Sequence, residues 1–415
     1  PDFLKLEATW RGLHFLCTHN ENTALVRIRI FDCKKNEFAI ELDCPPEVEQ
    51  SILYQRIVND PWQRDLVEPF SVLIADYQFS HHPADVTLLT HMATLGAAAC
   101  CPFLAAASPD LLGLERWSDL NKPHDLTRTM ESSSYAAWNR FRDTEDARYI
   151  VLTGPRTLAR LPFTGYRRDN AGFQFNELAF DFEESIPEFN TRLCWMNTAF
   201  VLGTQMTNAF RQFGMCLYLS ANVAHEDRDS QHQNGDGRIG GLPSFVALAG
   251  IADQQAIGPS EFSIDDRREV EFRDCGLVAL SPIRYGAAFL SMPTCCRSKQ
   301  HDCADASAKA SIAMDLAYVM VESRFAHYVK AVYGTLQKIQ KEDIAHEALS
   351  MWISGYVDSC GPANDRTRAE FPLADARIDI QNDPGLRGAR LAVMYLRPWL
   401  DHGFPTNALR KVVPL

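Results

Sequence analysis

The sequence predicts an α/β protein that ends in a β-hairpin, and three stretches carry that prediction. Phe70 to Asp76 (FSVLIAD) is a short, wholly apolar run, the mark of a strand covered on both faces. A helical stretch with an Ala-rich second half, Asp85 to Cys101, separates it from another apolar run, Phe103 to Ala107. Strand, helix, strand in that order is a local α/β unit. Near the C-terminus, Leu373 to Pro398 reads as a hairpin around the turn Asn382-Asp383-Pro384-Gly385. Its first arm alternates Ile378 and Ile380 with Arg377, Asp379 and Gln381; its second has Leu391, Val393 and Tyr395 on one face and Ala392, Met394 and Leu396 on the other. An isolated hairpin is marginal in water, and an arm apolar on both faces needs cover on both. The expectation is that another chain completes the sheet, pairing with Arg377, Ile378, Asp379, Ile380, Leu391, Val393 and Tyr395.

The remaining elements follow in order. Phe3 to Leu16 places Leu6, Trp10 and Leu13 at near-helical spacing and predicts a helix; Thr23 to Cys33 alternates and predicts a strand. Glu47 to Asn59 predicts a helix after the break at Pro45-Pro46. Tyr135 to Arg142 is helical and Tyr149 to Thr153 a short strand. Cys194 to Phe213 predicts a helix, Met215 to Ala221 a strand, and Ala224 to Gly241 a polar loop. Asp265 to Cys275 is a charged helix with Gly276 at its C-cap, followed by strands over Leu277 to Leu280 and Ala287 to Ser291. Asp305 to Lys341 is the longest helical reach and Asp343 to Tyr356 a second helix. The irregular stretch Pro293 to Asp302 suggests two domains sharing a core, residues 1–300 and 301–415.

Composition narrows the function classes. The chain has 415 residues, 46% hydrophobic and 23% charged, enough for a large core. A net charge of -12 argues against nucleic acid, which is bound through clustered Lys and Arg. The 12 cysteines show no disulfide-framework spacing and no signal peptide precedes them, which predicts reduced thiols in the cytoplasm. The most apolar run, Leu95 to Ala107, is too short to span a bilayer, so no membrane insertion is expected. The chain begins at Pro1 without Met, and the expectation is that residues precede it.

No catalytic constellation emerges. Gly235-Asp236-Gly237-Arg238-Ile239-Gly240 fits GxGxxG, but Leu242-Pro243 stands where the helix must elongate. Asp227, Asp229, Asn234 and Asp236 lack the calcium-loop order. His81, His82, Asp85 and His91 read as a helix start, and His346-Glu347 has Ser350 where HExxH needs its second His. Cys295, Cys296, His301 and Cys303 are zinc-ligand types, but adjacent cysteines make a poor pair of ligands. These observations point to a structural role, with no cofactor and no enzymatic activity.

Several segments, in order, resemble one family. They are Leu6-Glu7-Ala8-Thr9-Trp10-Arg11-Gly12-Leu13; Val72-Leu73-Ile74-Ala75-Asp76-Tyr77; Trp138 with Arg142, Glu145, Asp146, Ala147, Arg148 and Tyr149; and Pro155-Arg156 through Leu158-Ala159-Arg160-Leu161-Pro162. The C-terminal part adds Ser323-Arg324-Phe325-Ala326-His327-Tyr328, Trp352-Ile353, Tyr356-Val357, Pro372-Leu373 and Leu396-Arg397-Pro398. Together they resemble the large sheath subunit of the bacterial type VI secretion system, the TssC or VipB type. Ser291 to Asp302 and Ala224 to Gly241 depart from the family pattern.

The resemblance implies a contractile-sheath fold, with mixed sheets, packed helices and a hairpin that accepts strands from neighbouring subunits. It implies pairing with a small sheath subunit (TssB or VipA type) and assembly with other copies into a helical tube around an Hcp inner tube. A baseplate, and a recycling ATPase of the ClpV type acting indirectly, are further implied partners. Contraction would drive the inner tube into a target cell. Trp10, Arg11, Trp138, Arg148, Arg156, Arg160, Arg324 and His327 stand in the family motifs, as structural residues. Two alternatives remain open: a sheath protein of a phage tail or related injection device, and a metal-binding enzyme using Cys295 to Cys303.

Overall fold

The structure, a computed structural model, describes residues 4–10, 26–32, 48–59, 69–163, 177, 190–217, 219–221, 237–246, 256–283, 286–299, 302–338, 344–358, 361, 367, 370–384, 389–399 and 408–415. β1 (Leu4–Trp10) and β2 (Val26–Asp32) form an antiparallel pair. The helix expected over Phe3 to Leu16 is thus a strand in its described part. Leu6 and Trp10 fit a helical turn, but Leu4, Leu6, Ala8 and Trp10 also alternate with Lys5, Glu7 and Thr9. The alternation prevails because β1 lies between two ladders, Leu6 facing Ile30 of β2 and Ile74 of β3 (Val72–Phe79). Residues 48–59 are helical but irregular.

α1 (Pro83–Ala99) opens on a proline, and Asp85 Oδ2 accepts from Ser80 N and Oγ at 2.8 Å, closing the strand-to-helix turn. α1 ends at Cys100, and the chain enters β4 (Phe103–Ala107), parallel to β3. α2 (Leu126–Met130) and α3 (Ala136–Arg142) lead to β5 (Ile150–Thr153), parallel to β4. β6 (Thr157–Leu158) pairs with β7 (Trp195–Met196), so the helix expected from Cys194 begins later, as α4 (Thr198–Phe213). Asn197 caps it, accepting from Ala199 N at 2.8 Å. The described residues of Met215 to Ala221 belong to no strand; Met215, Cys216, Leu217, Leu219 and Ala221 are buried, and Ala221 N donates to Phe289 O.

β8 (Arg238–Ile239), β9 (Phe245–Val246) and β10 (Ala256–Ile257) are short. α5 (Asp266–Asp274) stops before Gly276, whose φ of +76° favours glycine and where a Cβ would sit 2.9 Å from the Arg142 guanidinium. β11 (Leu277–Val278) joins β5 in parallel, and β12 (Leu280–Ile283) pairs with β13 (Gly286–Phe289). The single long helix expected from Asp305 is two, α6 (Ala304–Ala313) and α7 (Leu316–Lys338). The break arises because Leu316 N bonds Met292 O and Asp315 Oδ1 caps Ala317 N, both at 2.8 Å. α8 (Ala345–Ser354) follows, then β14 (Leu373–Asn382), β15 (Arg390–Pro398) and β16 (Leu409–Pro414).

The main sheet is six-stranded, ordered β11-β5-β4-β3-β1-β2. Its parallel strands bury both faces, and the alternation divides them cleanly. Leu73, Ala75, Tyr77, Phe103, Ala105, Ile150, Leu152 and Leu277 join one core with α1 and α3. Val72, Ile74, Leu104, Val151 and Val278 join a second core with α4 and α7. That second core runs on into the C-terminal sheet through Ile378, Ala392, Met394, Leu396 and Val413. Gly203 lets α4 approach β3 closely, since a Cβ there would lie 2.3 Å from Ile74 Cδ1.

Candidate functional site

The C-terminal sheet has the order β14-β15-β16, antiparallel throughout. β15 is its middle strand: Val393 faces Asp379 on one side and Val412 on the other, Tyr395 faces Arg377 and Arg410, and Leu391 faces Gln381 and Pro414. This corrects the expected open hairpin. A third strand of the same chain pairs with the second arm, so Leu391, Val393 and Tyr395 have no free edge. The basic, six-residue run of β16 hid this at the sequence level. The outer strands differ. Among the described residues, β14 pairs on its far side only through the bridge of Leu373 to Val357, and no strand pairs with the far side of β16. Arg377, Ile378, Asp379 and Ile380 therefore stand on an edge strand. Arg377 is exposed and bonds Asp379 at 2.7–2.9 Å, while Ile378 faces the core.

A buried charge network fixes this sheet to the body. Glu322 on α7, 1% exposed, pairs with Arg148 through Oε2 and with Lys411 of β16 through Oε1 at 3.1 Å. Lys411 Nζ also donates to Tyr149 Oη at 2.6 Å. Burial alone would lower the Arg148 and Lys411 pKa values, but Glu322 and Tyr149 beside them hold both above their ordinary range. Three parts of the chain meet here: the entry to β5, the second turn of α7 and β16.

The other motif residues take structural positions. Arg156 forms a two-pronged pair with Glu261 at 2.8 Å, and Arg160 one with Glu177 at 2.7 Å. Trp138 is fully buried and packs on Phe141. His327 Nε2 donates to Ala99 O at 2.7 Å and Lys330 Nζ to Ala98 O at 3.3 Å, so α7 places two donors on the last carbonyls of α1. Burial pushes the His327 pKa down to about 3, which keeps the ring neutral. Arg324, one turn before His327 on α7, lies over the Phe210 ring at 4.9 Å. Trp10 is placed by its backbone, opposite Val26, and Arg11 lies outside the described residues.

The chemical alternatives find little support in the geometry. Cys295 and Cys296 are buried, burial raises their thiols to about 12 and about 11, and Cys296 Sγ donates to Thr144 O at 3.2 Å. His301 lies outside the described residues, as do 222–236 with the calcium-like acids. Among the described residues no group of three or more His, Cys, Asp or Glu is arranged to hold a metal ion. His81 stacks on Tyr135 and lies 3.4 Å from Asp110 Oδ2. A cleft of ≈ 270 Å³, lined by Gln78, Pro109, Trp117, Arg156, Asn190 and Glu261 among others, opens at the carboxyl ends of the parallel strands. Open α/β sheets often bind ligands there, but here Arg156 is already closed by Glu261.

Two family profiles match the chain. The tail sheath N-terminal domain of VipB (EvpB/VC_A0108) matches residues 1–295, and the tail sheath gpW/gp25-like domain of the same family matches residues 305–411. The chain belongs to the VipB family of tail sheath proteins. A curated relative, the type VI secretion system sheath protein TssC1 of Pseudomonas aeruginosa PAO1, is 32% identical over 423 residues, covering 100% of this chain and 81% of its own length. The structural sheath role that the motif order implied is thus the role of the family. Sequence reasoning missed Glu322, Lys411, Glu261 and Glu177, the partners of the motif cations. Only Glu322 left a trace, as an acid inside the apolar run Leu316 to Val321 and Phe325.

Proposed function

We propose that this VipB-family chain is the large structural subunit of a type VI secretion sheath, and that β14 is the edge at which a neighbouring subunit adds a strand. The observation that carries this is a sheet whose β14 edge, among the described residues, is bridged only at Leu373 and which is fixed to the body by the Arg148–Glu322–Lys411 network. Strand addition takes its affinity from backbone bonds and its register from alternate side chains. Arg377, Asp379 and Ile380 would set the register. With about four to five ladder bonds at roughly 0.5–1.5 kcal/mol each, one joint supplies on the order of 2–7 kcal/mol before ordering costs.

In this reading the chain pairs with a small sheath subunit, stacks with other copies around an Hcp tube on a baseplate, and is recycled by an ATPase that grips the small subunit. It works in the cytoplasm, without cofactor or turnover. Residues 1–300 and 301–415 act as two domains over the shared second core. No helix among the described residues is long and apolar enough to cross a membrane. Co-expression with a small sheath subunit, followed by negative-stain microscopy, tests the reading. Hollow, cogged tubes are expected, and their absence from a soluble, co-purified complex refutes it. Tubes formed by the chain alone would favour a single-component phage-type sheath instead.

A further inference from the structure

We draw no further inference here: the strongest candidate, the partly exposed apolar surface along α7 and α8 at Tyr328, Val332, Ile344, Met351 and Trp352, is a helix surface for which nothing in the structure shows what covers it.

Discussion

Glu322 offers the sharpest test of how the C-terminal sheet is held. It is 1% exposed and answers two cations, Arg148 and Lys411, from parts of the sequence far to either side. Removing one partner of a buried pair costs about 3–5 kcal/mol, mostly because the other charge is left in a poor solvent. E322L strands two cations, of which Lys411 is the less buried, with 16% of its side chain exposed, and can relax towards water. A loss of about 4–5 kcal/mol is expected, the upper part of that range. Replacing the whole network, as R148M/E322L/K411M with Y149F to remove the hydroxyl that accepts from Lys411, should recover most of it, since apolar replacements of complete ion networks are often neutral or stabilising. The assay is urea unfolding of the unassembled complex by tryptophan fluorescence, with hydrogen exchange read on β16. In E322L the β16 amides should lose protection by about 100-fold or more, the equivalent of roughly 3 kcal/mol. Wild-type-like protection in E322L, or a quadruple variant no better than E322L, would refute the claim that this network anchors the sheet.

Three further outcomes are expected. His327 is held neutral, with a pKa of about 3 against an ordinary 6.5, so the unfolded chain takes up a proton that the native state refuses. Its stabilising contribution is complete above pH 6.5 and falls by about 1.4 kcal/mol per unit below it; H327Q should show a flatter urea midpoint between pH 7 and 4.5, and equal slopes would refute the buried, neutral ring. G203A should destabilise by roughly 1–2 kcal/mol despite alanine's helix propensity, because its Cβ meets Ile74 Cδ1 at 2.3 Å; adding I74V, which deletes that atom, should cost less than the two single losses summed, as melting temperatures would show. Iodoacetamide at pH 8 should label the exposed Cys194 and Cys303 well before Cys295 and Cys296, and rapid labelling of the latter two, read by mass spectrometry, would contradict their burial.

What could be read from the sequence was what depends on neighbours along the chain. β3, α1, β4 and β5 were legible because parallel strands covered on both faces are apolar without interruption, and Pro83 and Asp85 mark a helix start. β1 was not, because Leu6 and Trp10, four residues apart, also satisfy a helical turn, and only the edge of β3 decides between the two readings. The break between α6 and α7 depends on a bond from Leu316 to Met292, outside any local window. The site was legible in part. The hairpin arms and the motif cations stood out, but their partners did not: Arg148 and Glu322 are 174 residues apart, and nothing local couples Lys411 to either.

A sheet that joins subunits has to hold more firmly to its own body than to its neighbour, or it would peel away before the joint opens. The inner face of the C-terminal sheet buries Ile378, Ala392, Met394, Leu396 and Val413 in the second core, each at most 1% exposed. At about 1.5–3 kcal/mol for each of the four larger side chains, burial alone contributes roughly 6–12 kcal/mol, an upper estimate because the unfolded chain is already partly compact. The proposed strand joint supplies on the order of 2–7 kcal/mol. The footing therefore exceeds the joint, and the Glu322 network adds directional restraint at the strand furthest from β14, where a pull on that edge would otherwise lever the sheet away. Hydrophobic contact resists separation but tolerates sliding, whereas a charge held between two cations on separate elements resists both. That division accounts for a buried ion network at a place where an apolar contact would be equally stable.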